Sequence, residues 1–188
     1  SGAEGVRVNA TATVTDADIN ATNGVIHVVD QVAPPAHLMQ LAAAHPDFST
    51  LGTAVTTAGL AESLSGAGPF TIFAPNNAAF DRYINSNDDI ADAAALLASF
   101  DLENILKYHV VAGIIPAEAV EDFMVVNTLA DLSAVVLKSG ETLYVNDACA
   151  RVVSCLFDGS RVLTADIKGT NGVIHIVDKV IPPADVFR

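Results

Sequence analysis

The sequence predicts an α+β domain, and three observations carry that prediction. Ala- and Leu-rich stretches with helical spacing run from Ala36 to Phe123. Alternating stretches rich in β-branched residues, divided by turn residues, run from Phe123 to the end. A third feature is a repeat: "TNGVIHVVDQVAPPA" at Thr22–Ala36 returns as "TNGVIHIVDKVIPPA" at Thr170–Ala184, with twelve of fifteen residues identical. Helices first and strands afterwards suit antiparallel strands packed with a helical layer, not a parallel βαβ array.

The repeat sets the domain boundaries. Working backwards, "VTDADINATNG" (Val14–Gly24) lies opposite "VLTADIKGTNG" (Val162–Gly172) at the same offset. Residues 1–35 therefore read as the C-terminal tail of a preceding module plus a linker, and residues 36–188 as one complete module of a tandem protein. In the second copy Val173, His175 and Val177 fall on one face and Ile174 and Ile176 on the other, the period of a strand. Thr-Asn-Gly supplies the turn before it, and Pro-Pro, which has no N–H to donate, stops it. The strand at Gly24–Val32 is expected either to lie on its own domain's surface or to pair with a neighbouring molecule. Ser1-Gly2 reads as a cloning remnant, which leaves room for a removed leader.

The elements of the complete module follow in order. "AHLMQLAAAHPDF" and "STLGTAVTTAGLAESL" read as helices, with Gly59 and "SGAG" as stops. "PFTIFAP" (Pro69–Pro75) is a short apolar strand between prolines, and "NNAAFDRYI" starts a helix capped by Asn76 or Asn77. "DDIADAAALLASF" and "DLENILKYHV" are two further helices, each opened by an Asp that suits the positive end of the helix dipole. "PAEAVED" makes a brief helix. The strands are "FMVVNTL", "SAVVLKS", "ETLYVND", "ARVVSCLF", "RVLTADIK" and "GVIHIVDKV", with "KSGET" and "FDGSR" as hairpin turns.

Composition narrows the function classes. The chain is 51% hydrophobic and 16% charged, the balance of a folded protein, and no stretch approaches the ~20 apolar residues that span a bilayer. Twenty-two acids against nine bases give a net charge of −13, which argues against nucleic acid and against polybasic membrane attachment. The "NAT" sequons at Asn9 and Asn20 can accept glycans in a secreted chain. They favour an oxidising compartment, and with it a Cys149–Cys155 disulfide over two free thiols.

Enzyme readings find little to stand on. Nucleophile-elbow, zincin, phosphate-loop and dinucleotide fingerprints are all missing from the sequence, so no cofactor is expected. His37 and His45 are eight apart, too far to share a metal, and read as surface or cap residues. His27 and His175 sit among valines on the alternating strand face, where a half-buried imidazole donates to a backbone carbonyl. "NSNDDIADA" lacks the spacing and central glycine of a calcium loop and reads as a capped, solvated segment. Leu102, Ile105, Leu106 and His109 share one helical stripe, which points His109 inward at a helix C-terminus. Tyr108 lies at the edge of that stripe, where its ring packs and its hydroxyl stays wet.

Three boxes in order, "GPFTIFAPNNAAF" (Gly68–Phe80), "LKYHVV" (Leu106–Val111) and "NGVIHIVDKVIPP" (Asn171–Pro183), resemble the fasciclin domain. The resemblance covers Ala36–Arg188 almost entirely, and residues up to Pro35 match the end of a preceding copy. It implies a wedge of antiparallel strands with a layer of helices, acting as a non-catalytic adhesion module outside the cell or on its surface. The implied partner is a cell-surface or matrix protein or glycan. In animal members the Tyr-His region is associated with integrin binding, and that role carries over only to Tyr108 and His109. Similar domains in green algae bind a carotenoid, which implies an apolar small-molecule carrier as the alternative; a plain spacer in a tandem array is the third reading.

Overall fold

A computed structural model describes residues 7–8, 12–32, 36–87, 90–99, 101–121, 123–146 and 159–183. Cys149, Cys155, Asn9 and the strand read at 150–157 lie outside the described residues.

Two sheets form. A three-stranded antiparallel sheet contains β1 (Arg7–Val8), β2 (Ala12–Ala21) and β3 (Gly24–Val29), in that order. The larger sheet has seven strands: β4 (Phe70–Pro75), β5 (Val110–Ala112), β6 (Met124–Asn127), β7 (Ser133–Ser139), β8 (Thr142–Asn146), β9 (Ser160–Gly169) and β10 (Gly172–Val177). Their order is β5-β4-β10-β9-β8-β7-β6. The outer strands meet: Val111 bridges Thr128, and the Leu129 amide donates to the Val110 carbonyl at 2.8 Å. This contact joins the two outer strands at one end and curls the sheet toward closure, leaving β6 itself as an edge strand.

The α+β expectation holds, with one refinement. β10 pairs antiparallel with β9 but parallel with β4, in the register Gly172↔Phe70 through Val177↔Pro75. The hairpin dictates the first pairing through its two-residue turn. The second joins segments far apart in the chain, so no local signal sets its direction.

Among the described residues six α-helices cover one face: α1 (Leu38–Ala44), α2 (Ser49–Thr57), α3 (Ala61–Leu64), α4 (Asn77–Ser86), α5 (Ala93–Leu97) and α6 (Leu102–Tyr108). Gly59 ends α2 at φ +70°, a conformation that suits glycine. Asn76 caps α4, its Oδ1 accepting the Ala79 amide at 2.8 Å, while Asn77 Oδ1 accepts the Thr50 amide at 3.0 Å and fixes the start of α2. Asp92 caps α5 through the Ala95 amide at 2.8 Å, so that helix starts later than the acidic run suggested. Asp101 precedes α6 without a side-chain cap bond. His37 and His45 flank α1 as its N-cap and C-cap residues.

The alternation in β4 and β10 divides the core. Ile72, Ala74, Ile174 and Ile176 face the helices and pack with Leu38, Leu51, Val55, Phe80 and Leu106. Phe73 and Val177 face the other way, into a cluster with Tyr108, Val111, Val126, Val136 and Val145. All six residues of β10 are buried, as expected for a central strand covered on both faces.

Candidate functional site

The sequence-predicted Tyr-His pair sits where α6 passes into β5, between the two core clusters. His109 is 2% exposed. Its Nδ1 lies 2.7 Å from the Ile105 carbonyl and its Nε2 accepts the Ile181 amide at 2.9 Å, an arrangement that fits one neutral tautomer, protonated on Nδ1. Its own carbonyl accepts the Phe73 amide at 2.9 Å. One residue thus joins α6, β4 and the segment after β10. Burial pushes its pKa down from 6.5 to about 4, with the bond to Ile105 opposing.

Tyr108 departs from the expectation of a wet hydroxyl. It is 3% exposed, and its hydroxyl donates to the Ser133 carbonyl at 2.9 Å. The stripe rule placed it at the edge of the helix face, but the edge is covered by β7, an element more than twenty residues away in sequence. Ser133 opens β7 opposite Asn127 of β6, and its hydroxyl donates to Asn127 Oδ1 at 3.2 Å. The Tyr108 bond thus reaches the start of β7, which pairs with the outer strand β6; Val125 within β6 is 64% exposed, and Phe123, just before the strand, is 59% exposed.

A second polar group organises the segment after β5. Thr71, fully buried, donates to the Gly113 carbonyl at 2.8 Å and accepts the Ile115 amide at 2.9 Å. His175 Nε2 lies 2.9 Å from the Ile115 carbonyl, while its Nδ1 accepts the Asp166 amide at 3.2 Å. Asp166 Oδ1 accepts the Ala117 amide at 3.0 Å. The His175 ring stacks on Phe73 with centroids 5.5 Å apart. Burial lowers its pKa, opposed by the bond to Ile115 and by the Asp166 carboxylate. For His175 the expected bond to a backbone carbonyl forms, with the ring fully rather than half buried; His27, read the same way, is exposed on β3 and makes no carbonyl bond among the described residues. Both nitrogens of His109 and of His175 are engaged by backbone groups, so neither imidazole is placed to take a proton from a substrate.

Sequence reasoning missed the third group. Asn171, read only as part of a turn, is 4% exposed and makes three side-chain bonds. Oδ1 accepts the Leu38 amide at 3.0 Å, and Nδ2 donates to the Leu64 and Gly66 carbonyls at 2.9 Å each. Thr170 beside it meets His37 Nδ1 at 2.9 Å. The repeated Thr-Asn-Gly was the available signal, since a turn needs only its glycine and the threonine and asparagine were left unexplained. Gly172 has φ +152°, and a Cβ there would collide with the Phe70 carbonyl.

An apolar cavity of about 120 Å³ lies between the sheet and helices α1, α2 and α6, bounded by Leu51, Val55, Ile72, Leu106, His109 and Ile174. Among the described residues no group of three or more His, Cys, Asp or Glu is placed to hold a metal ion, and no helix is long and apolar enough to cross a membrane. Asn20 lies exposed on β2.

Comparison with known proteins gives a consistent result. Residues 2–35 and 46–183 match the fasciclin domain family model as two separate stretches. Protein sll1483 of Synechocystis is 36% identical over 159 residues, covering 83% of this chain and 79% of that protein. The transforming growth factor-beta-induced protein ig-h3 of Sus scrofa is 31% identical over 183 residues, and the match spans 95% of this chain but only 24% of that protein. Among solved structures, a FAS1 domain pair from the insect cell adhesion molecule Fasciclin I superposes with a TM-score of 0.71 at 20% identity, covering 93% of this chain and 60% of that one. The last likeness establishes the fold.

Proposed function

This chain belongs to the fasciclin domain family, and from that premise we propose that it is a non-catalytic adhesion module working outside the cell or at its surface. The observation that carries this reading is the match of nearly the whole chain to one family, with a structural neighbour taken from a cell adhesion molecule. Its partner is a cell-surface or matrix protein or glycan. Tyr108 and His109 act as positioning residues, because both are buried. The contact surface is the outer strand β6 with Phe123 just before it, where Phe123 and Val125 are exposed. Exposed apolar side chains on an edge strand suit a partner face more than they suit water. Glycosylation at Asn20 and Asn9 and a Cys149–Cys155 disulfide belong to the same extracellular reading.

Cell attachment to surfaces coated with the protein tests it. Val125→Lys is expected to reduce attachment severalfold at unchanged Tm. The adhesion reading fails if the unsubstituted protein holds no more cells or matrix-coated beads than an inert protein does.

The apolar cavity favours a second reading, a small-molecule carrier. A cavity of roughly 150 Å³ accommodates a benzene-sized molecule, so a space of about 120 Å³ suits one small apolar ring. A carotenoid-length polyene exceeds it. Melting curves with and without saturating benzene separate the two readings: a raised Tm makes the protein a small-molecule carrier, and an unchanged Tm leaves adhesion ahead.

A further inference from the structure

The two repeated hairpins have the same internal geometry and opposite surroundings. The Asp18 amide donates to His27 Nδ1 at 3.2 Å, as the Asp166 amide does to His175 Nδ1 at 3.2 Å. Asp18 and Asp166 share a φ of 60°. The Thr13 amide donates to Asp30 Oδ1 at 2.8 Å, and the Arg161 amide to Asp178 Oδ1 at 2.7 Å. In β10, Val173, Ile174 and Ile176 are 3%, 1% and 7% exposed; their counterparts in β3, Val25, Ile26 and Val28, are 52%, 54% and 44% exposed. β10 has a strand on each side, whereas among the described residues β3 pairs with β2 alone. Among the described residues, His27 Nε2 and the Asn23 side chain make no hydrogen bond, where the counterparts His175 and Asn171 are fully engaged.

We propose that the β2–β3 hairpin is a docking surface for the helix-and-strand body of a second fasciclin module. An apolar strand of the Phe70–Pro75 type adds in parallel to the free edge of β3. A loop carbonyl of that body accepts His27 Nε2–H, and a helix N-terminus with a neighbouring loop engages Asn23. The body must come from another module, because the one in this chain is already closed by β9 and β10. The surface is built for a partner: apolar on its face, unpaired along its edge, and carrying two polar groups at the positions where the complete module uses them. The inference rests on the family assignment and not on adhesion.

A chimera of the full chain tests it, with residues 160–183 replaced by the sequence of residues 12–35. Ala21 then falls where Gly169 stands, and a Cβ there meets Leu38 Cδ2 at 2.7 Å and the Leu38 amide nitrogen at 3.1 Å; a second chimera therefore carries Ala21→Gly. At least the second chimera is expected to melt cooperatively with the parent's circular dichroism. His27→Ala within it should lower Tm by roughly 5 °C or more, against about 1 °C or less when made in the unsubstituted chain. The proposal is overturned if neither chimera melts cooperatively, or if His27→Ala has the same effect in both settings. Light scattering supplies a further check: a monomer agrees with the proposal, and a concentration-dependent dimer abolished by Val25→Lys assigns the face to a second copy instead. Failure of the attachment assay leaves each of these outcomes unchanged.

Discussion

His109 accepts the amide of Ile181 at 2.9 Å through Nε2, tying the end of α6 to the segment that follows β10. Protonating that nitrogen removes the acceptor and places a charge in the core. With a folded pKa of about 4 against 6.5, the unfolded chain takes up the proton first. The stability this residue supplies above pH 6.5 is therefore lost as the pH falls from 6.5 toward 4, by about 3 kcal/mol in full. His175, lowered in the same direction, adds to the loss. Melting curves at pH 7 and pH 4.5 should show a fall in Tm that is smaller in His109→Gln. Equal falls in both proteins would exclude the imidazole as the cause.

Tyr108→Phe keeps the ring and removes one hydroxyl, leaving the Ser133 carbonyl without that donor. A buried hydrogen bond lost in this way costs about 1–2 kcal/mol. Urea denaturation should report that loss. An unchanged midpoint would mean that the hydroxyl does not hold β7.

Asn171 and Asn23 occupy equivalent places in the two copies, one buried and the other exposed. Asn171→Ala strands an amide and two carbonyls and should cost about 3 kcal/mol or more. Asn23→Ala should stay within about 0.5 kcal/mol. Comparable losses from the two substitutions, measured side by side in urea, would refute the contrast.

Gly52 lies within α2, and a Cβ placed there meets nothing within 4 Å. Gly52→Ala removes the conformational cost of a helical glycine and should stabilise by about 0.5–1 kcal/mol. A lower Tm in this variant would contradict the open space beside the helix.

Much of this was legible from local signals. Gly59 stops α2 because few residues other than glycine tolerate its φ, and Asn76 caps α4 because a short polar side chain reaches the third amide. The inward turn of His109 followed from helical spacing alone. Other features were not legible. Tyr108 is buried by β7, Asn171 is held by α1 and the segment after α3, and β4 lies parallel to β10. In each case the deciding contact joins distant parts of the chain, and a propensity or a spacing carries no information about such a partner.

The two hairpins show where that division falls. The sequence by itself determined the order of the described elements, the turn and stop of each repeated strand, and the family. It also determined the internal bonds of both hairpins, since Asp18 with His27 and Asp166 with His175 form the same link from the same residues. Only the tertiary structure decided that Ile174 is buried and Ile26 exposed. Hydrogen bonding within a hairpin depends on the hairpin. Burial depends on what packs against it, and nearly identical strings of residues take opposite surroundings when one has β4 beside it and the other does not.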